Sequence, residues 1–548
     1  MGSISSLSRA VSGLMANQSA LNTTAHNLTN VNTPGYVRQQ VLMKDGTYQT
    51  IGQNNTSLFQ IGMGADVQGI RQVRDQFLDL AFRGESGRSG FYSAQSASIS
   101  EIENILGETE GEAFSKVLNN LWESMNELSK HPEGLETRGS FVQNASLFVE
   151  KSNLMMKQLN GYQSNLNTEI SNTVSKINQI GNDINDLNAL IVSKEGAGGN
   201  ANDYRDSRNT LIDELSSLVD IRVREDLQGN ALISVENVPF VTISNVNELG
   251  VAQAEEFSQL VDPIWPHLSQ EGPPVVNHKV FNFENPIGPQ YDNNKGELKG
   301  LILSRGARTA NYTDLASQTV FENDVEPSTI MTVQAQFDNL VHGVVTMINN
   351  TLSPTVGPPG ARTMDPNAPY GLNGEQGIEL FTRKYMDRYD SGGVLNEEDT
   401  TNEFSLYSAG NIEINPDILV DYNKLTISMN QGVAGDSTII ENILAKWQEP
   451  FSTLEPGSSG ILNFTDYYNG FVADIGSKGN GINNQVANQE TLTVQIDNQR
   501  NQLMGVSTDE ELGNMIRFQH AYNASARVVT VVDQMIDKLI NQTGLVGR

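Results

Sequence analysis

The sequence contains no cysteine, which excludes disulfides, thiolate metal sites and cysteine nucleophiles together. A chain without thiols is compatible with any redox compartment, the cell exterior included. Basic residues are scarce: 35 Lys plus Arg stand against 65 Asp plus Glu over 548 residues, a formal net charge of −30. That balance argues against a nucleic-acid backbone or an anionic membrane as the main partner, because both reward clustered cations. Long hydrophobic runs are missing too. Val528-Val529-Thr530-Val531-Val532 is among the longest, far short of the roughly 20 residues a spanning helix needs. At the N-terminus Ser5, Ser6, Ser8, Arg9, Ser12 and Gly13 break up any apolar segment, so no secretory signal is expected. No acidic residue occurs before Asp45, and a serine-rich, acid-free amphipathic start is also what an organelle transit peptide presents. At 38% hydrophobic residues the chain can build a core, and its length allows three or four domains.

What is present begins with periodicity. Ile4, Val11, Gln18 and Ala25 fall at one position of a seven-residue repeat, and Leu7, Leu14, Leu21 and Leu28 at the other. This 3-4 spacing predicts a coiled-coil seam with one polar interruption, Gln18. The helix should stop at Asn32-Thr33-Pro34-Gly35-Tyr36. Proline disfavours helix at Thr33, and Pro34-Gly35 suits the centre of a type II turn. The C-terminus mirrors this arrangement. Ser507 with Glu510, or Thr508 with Glu511, offers a capping box. Leu512, Met515, Gln519, Tyr522, Ala526, Val529, Ile536 and Ile540 follow at 3-4 spacing, with Asp533 out of pattern. The apolar face of either helix gains burial energy only when a second seam arrives. Two readings stay open on pattern alone: an internal two-helix coiled coil that closes the molecule, or an assembly element in which helix pairs from many subunits pack together. A transit peptide would leave the C-terminal seam unexplained.

Between the ends, Leu147 to Ile191 contains no proline and carries one drifting apolar face, predicting a helical rod of roughly 65–70 Å. A second helix is expected over 206–219. From Ile221 the pattern alternates, so 231–235 and 240–243 should be strands. Residues 261–289 and 354–374 are rich in proline or glycine, helix is expected at 332–352, and it returns near Ile439 and from Asn463. The expected fold is mainly α with a β-rich inserted lobe: terminal helices forming a coiled coil, a long helical-bundle shaft and outer β domains. The corresponding domains are 1–40 plus 505–548, 41–221 plus 426–504, and 222–425 with its embedded helical segment 332–352.

Signs of chemistry are weak. No two of the six histidines stand at helical ligand spacing, Asp292-Asn293-Asn294-Lys295-Gly296 lacks the acidic pattern of a calcium loop, and Gly196-Ala197-Gly198-Gly199 lacks a phosphate-loop lysine. No catalytic, cofactor or metal site is therefore expected, and an enzyme is not.

The segment Leu21-Asn22-Thr23-Thr24-Ala25-His26-Asn27-Leu28-Thr29-Asn30-Val31-Asn32-Thr33-Pro34-Gly35-Tyr36-Val37-Arg38-Gln39 resembles the N-terminal signature of bacterial flagellar rod, hook and hook-associated proteins. Gly62 to Val67, Ile70 to Phe82, Gly199 to Asn209, Asn463 to Tyr468 and Val506 to Leu512 are similar to the flagellar hook-associated protein 1 family, as are Gln519, Ala521-Tyr522 and Ala524 to Arg527. The resemblance covers about two thirds of the chain, chiefly 1–225 and 460–548; Tyr204 and Ser207 depart from it, standing where the family has Leu and Gln. The family implies an extracellular structural subunit of the flagellum, exported without a cleaved signal, that joins hook to filament as a ring of like subunits. It implies contact with hook protein on one side and a second hook-associated protein on the other, and an export chaperone on the C-terminal helix. The assembly interface would then be Ile4, Leu7, Val11, Leu14, Leu21, Leu28, Leu512, Met515, Tyr522, Ala526, Val529, Ile536 and Ile540, with Asn32 to Tyr36 as the hinge turn. A filament-type subunit, or a surface protein whose outer lobe binds an external ligand, remains an alternative.

Overall fold

A computed structural model describes residues 2–54, 57–107, 113–255, 258–270, 272, 276–283 and 285–542. From the N-terminus come α1 (Gly2–Thr29), β1 (Gln39–Asp45), β2 (Tyr48–Asn54), β3 (Ser57–Gly62), β4 (Ala65–Gln72), α2 (Gln76–Leu106), α3 (Phe114–Lys130), α4 (Leu135–Gly196) and α5 (Asn202–Leu218). Then follow β5 (Ile221–Glu225), β6 (Ala231–Val235), β7 (Val238–Val241), β8 (Gly250–Gln253), β9 (Val261–Ile264), α6 (Glu297–Arg305), α7 (Gln318–Val320) and α8 (Thr329–Leu352). The remainder is β10 (Thr355–Val356), β11 (Thr363–Met364), β12 (Phe381–Arg383), β13 (Ile412–Ile414), α9 (Pro416–Val420), α10 (Thr438–Gln448), α11 (Phe464–Met504) and α12 (Thr508–Asp537). Long helices and a few small sheets make the chain mainly α, as the sequence pattern predicts. The sheets are small because each is a two- or three-stranded antiparallel ladder.

The chain packs as two compact units. The first comprises Met1–Arg88, Lys176–Glu248 and Gln489–Arg548. In it α1 packs along α12, β1 pairs with β4 around the nested β2–β3 hairpin, and β5-β6-β7 forms an antiparallel sheet. The second comprises Ser89–Ser175 and Leu249–Asn488. Its core is aromatic: Phe114 of α3 lies 5.7 Å from Phe148, 5.1 Å from Phe337 and 5.2 Å from Tyr468, ring centre to ring centre. Helix α8 is buried over most of its surface, with Ile330, Val333, Phe337, Val341, Val344 and Ile348 enclosed together with the polar Gln334, Gln336, Asp338 and Asn349.

Several elements lie outside what the sequence reading anticipated. The four strands over 39–72 stand where a helical shaft was expected, whereas α2 and α3 lie within that expected shaft although no individual helix was assigned there. Helix α4 begins twelve residues before Leu147, just past Pro132-Glu133-Gly134, because Phe141, Val142 and Ala145 extend its buried face.

Candidate assembly interface and its clamp

The burial pattern of α1 shifts the expected seam. Ala10, Ala16, Ala20, Thr23, Thr24 and Asn27 are buried, whereas Leu7, Val11, Leu14, Leu21 and Leu28 are only half-buried and Gln18 and Ala25 are exposed. The side chain of Ile4 lies outside the described residues. Short side chains let backbones approach closely: a Cβ placed on Gly13 would stand 3.4 Å from the Ser525 hydroxyl of α12. The leucine row therefore flanks the intrachain contact instead of filling it.

On α12 the covered positions run Glu511, Met515, Phe518, Tyr522, Ser525, Val529, Val532 and Ile536, an unbroken 4-3-4-3 alternation. Met515, Tyr522, Val529 and Ile536 occupy the seam position expected of them, and Ala526 is half-buried beside it. The second seam position is one residue earlier than the periodicity through Leu512, Gln519 and Ala526 suggested. That shift places Asp533 in solvent and Val532 inside. Leu512 is 43% exposed and Ile540 is 72% exposed, and Ile516, Val528, Val531, Met535 and Leu539 are exposed with them. Ser507 is the cap that starts α12, its hydroxyl accepting from the Glu510 amide; Glu511 is buried instead of capping.

The turn after α1 has the predicted geometry. The Tyr36 amide donates to the Thr33 carbonyl at 3.2 Å, and Gly35 has φ +77°, a conformation natural for glycine at the third position of a type II turn. A second reason for glycine lies in packing, since a Cβ there would stand 2.3 Å from the Thr210 hydroxyl. The hairpin approaches α1 in the same way at Gly64, φ +108°, whose Cβ would collide with Ser12.

The segment around α5 clamps this turn. Asn27 accepts from the Tyr36 hydroxyl at 2.8 Å and from the Gln39 amide at 3.0 Å, and donates to the Gln39 carbonyl at 2.9 Å. Asp203 accepts from Gln39 Nε2 at 3.0 Å and lies 3.3 Å from His26. Asp206 accepts from the Val37 amide at 3.3 Å and from Gln72 Nε2 at 2.6 Å. Burial drives the Asp206 carboxyl up to about 7, against the lowering effect of the Val37 bond. Burial, with the nearby Asp203, Asp206 and Glu511 carboxylates, also raises the Tyr36 phenol above its ordinary range. Beyond the turn, the Arg38 amide donates to the Met504 carbonyl at 2.8 Å and its guanidinium pairs with Glu510 at 2.7 Å, tying the exit of α1 to the entry of α12. Of the two departures from the family pattern, Tyr204 receives the Lys194 ammonium over its ring and Ser207 bonds back to the Asp203 carbonyl.

Among the described residues no cluster of three or more His, Asp or Glu is placed to hold a metal ion, and no helix is long and apolar enough to cross a membrane. What the geometry offers is mechanical: a helix pair bound at a fixed turn and carrying uncovered apolar side chains.

Family comparisons fit these segments one by one. Residues 7–36 match a family model described as flagella basal body rod protein, and residues 498–542 one described as flagellar basal body rod FlgEFG protein C-terminal. The α1–turn and α12 segments thus define an axial component of the bacterial flagellum. Residues 99–361 match the helical domain of flagellar hook-associated protein FlgK. Over 546 residues the chain is 30% identical to flagellar hook-associated protein 1 of Bacillus subtilis (strain 168), covering 99% of both chains; it is 24% identical to that of Escherichia coli (strain K12) over 564 residues, covering 98% of this chain and 99% of the relative. The chain belongs to the flagellar hook-associated protein 1 family. The fold also resembles the flagellar hook junction protein FlgK from Burkholderia pseudomallei, at a TM-score of 0.55 and 12% identity over 78% of this chain and all of the other.

Proposed function

We propose that this subunit joins hook to filament as one member of a ring, with α1 and α12 of each copy packing against those of its neighbours. The observation that carries this reading is the apolar surface the helix pair leaves uncovered: Leu512, Ile516, Val528, Val531 and Met535 on α12 and Leu539 and Ile540 on the helical turn that follows it, with the half-buried Leu7, Leu14, Leu21 and Leu28 on α1. Covering each such side chain contributes on the order of 1.5–3 kcal/mol, so a neighbouring helix pair gains substantially where an isolated subunit does not. Hook protein on one side and a second hook-associated protein on the other are the flanking partners of this reading. Before assembly an export chaperone on α12 would shield the same face, and export would proceed without a cleaved signal. The work is structural and non-enzymatic. In this reading 1–40 with 505–548 is the assembly element, 41–221 with 426–504 the shaft and 222–425 the outer lobe.

Gold-labelled antibody against residues 222–425, applied to native appendages, tests the location. A single narrow band between hook and filament is the expected result. Label along the whole filament would make the chain a filament-type subunit, and appendages free of label would remove the reading. A second reading, in which the outer lobe binds an external ligand, draws on Tyr385 and Phe404. Both are exposed, form an edge-to-face pair 5.2 Å apart and line a cavity of about 280 Å³. Ligand screening on the full chain and on Tyr385→Ala would detect it.

A further inference from the structure

A second feature of the first unit is electrostatic. A cavity of about 740 Å³ opens between the end of β4, the first turns of α2, α5 and the β5–β6 edge, and six arginines line it: Arg71, Arg74, Arg83, Arg205, Arg208 and Arg224. Three carboxylates, Asp79, Glu225 and Asp226, share the lining, so its formal balance is +3 in a chain whose balance is −30. Part of the positive charge is spent internally. Arg74 pairs with Asp79 at 2.5 Å, Arg83 with Asp213 at 2.6 Å, and Arg205 with Glu195 and Glu225 at 2.8 and 2.5 Å.

Two of the six guanidiniums are left to face the cleft. Among the described residues neither Arg71, whose guanidinium reaches only the Gln40 amide oxygen at 3.2 Å, nor Arg224 is paired with a carboxylate. Arg208 is almost wholly buried and its charge is met by Glu225 at 3.2 Å; it also donates to Asn188 and to the Gly229 carbonyl, while its Nε has no partner. Burial holds its guanidinium down at about 10. Apolar surface adjoins the charge: Leu80 lines the cavity at 61% exposure and Phe77 on the same helix is 76% exposed.

We propose that this cleft receives an acidic segment of a second copy of the chain, an inference that rests on the ring reading above. Like subunits each carrying −30 repel one another, and close packing requires a local positive surface facing a negative one. The cleft supplies that surface. Its volume suits several side chains instead of a single small anion, and the exposed Leu80 in its lining suits a polypeptide.

The absence of cysteine makes the test clean. Gln76→Cys, at the mouth of the cleft, installs a unique thiol on the full-length protein; it is coupled to a short photo-cross-linker and incorporated into native appendages. Using a mixture of isotopically light and heavy chains, the expected product joins two copies, with the linked peptide rich in Asp and Glu. Links confined to one chain, or made only to a different protein, overturn the proposal. The double variant Arg71→Glu/Arg224→Glu is expected to lower incorporation at least tenfold while leaving the melting temperature and circular dichroism of the monomer unchanged. Undiminished incorporation, with inorganic phosphate binding the wild-type monomer, would make the cleft an anion site only and overturn the proposal. Gold labelling of the wild type separates this from the ring reading. A normal junction band with no copy-to-copy link sinks the cleft alone, whereas label elsewhere sinks the location.

Discussion

In the unit that holds α3, α8 and α10, Phe114 touches Phe148, Phe337 and Tyr468, and Trp447, Phe451 and Phe464 close a second aromatic group beside Tyr467. In the unit that holds the chain ends, the covered side of α1 is alanine, threonine and asparagine, and much of the large apolar surface faces outward. The first arrangement satisfies its own hydrophobic surface; the second keeps its larger side chains for something else. Small residues at the intrachain seam allow close approach of α1 and α12, and they leave the leucines and valines beside that seam free to meet a second pair.

The largest test of this contrast is Phe114→Ala, expected to cost about 3–5 kcal/mol, as for a large aromatic truncated in a closed core, in denaturant unfolding of the second unit. A loss below about 1 kcal/mol would mean that core is not close-packed. Next comes the turn. Gly35→Ala forces a side chain into a left-handed conformation and against Thr210, and should cost about 1–3 kcal/mol. The readout is faster proteolysis within residues 1–40, with Thr210→Gly recovering part of it; equal protection in all three proteins would discount the clash.

Each unit buries an aspartate displaced in the same direction, which allows a like comparison. Asp206 and Asp338 are each raised to about 7 by burial, from an ordinary 3.8. Between those values the folded state keeps a proton that the unfolded state has released. Each group's stabilising contribution is therefore complete below about pH 4 and is lost as pH rises through 7. Between pH 5 and 8 each should cost up to about 3 kcal/mol. Asp206→Asn should flatten the pH dependence of cleavage near the turn, and Asp338→Asn that of unfolding in the aromatic core. An unchanged slope in either variant removes that carboxyl from the account. The smallest effect belongs to the exposed face of the helical turn that continues α12, Lys538–Gln542. Leu539→Ser should shift monomer stability by no more than about 0.5 kcal/mol yet reduce incorporation into the appendage. A variant that assembles normally would show that this face is not part of the contact.

Legibility in the sequence followed the range of the interaction. Strands 231–235 and the helices at 332–352 and from 463 were readable because their periodicity is local, and Pro34-Gly35 announced its turn through backbone geometry alone. Seam register on α12 was not readable: Met515, Tyr522, Val529 and Ile536 fit two alternations equally, and only contact with α1 selects Phe518, Ser525 and Val532 over Gln519, Ala526 and Asp533. On α1 the leucine row was the conspicuous signal, while alanine and threonine carry no periodic signature strong enough to mark a close contact. Helix α3 could have been found, since Phe114, Val117, Leu118, Leu121, Met125 and Leu128 repeat at 3.6-residue spacing. The clamp depends on Asp203 and Asp206 meeting a turn about 170 residues earlier, and no local pattern reports that. The resemblance through residues 199–209 flagged the segment without revealing what it holds.

That clamp also sets an order of events. The local bonds of Asn27 can close early, but those of Val37 and Gln39 to Asp206 and Asp203 wait for α5, and α1 meets its partner only when α12 has arrived. A chain delivered N-terminus first would therefore hold α1 unmatched until α12 is free, because contacts of such long sequence separation form late. Release of α12 and completion of the helix pair become the same event, so a subunit presents its finished packing face only once α12 is free to meet α1.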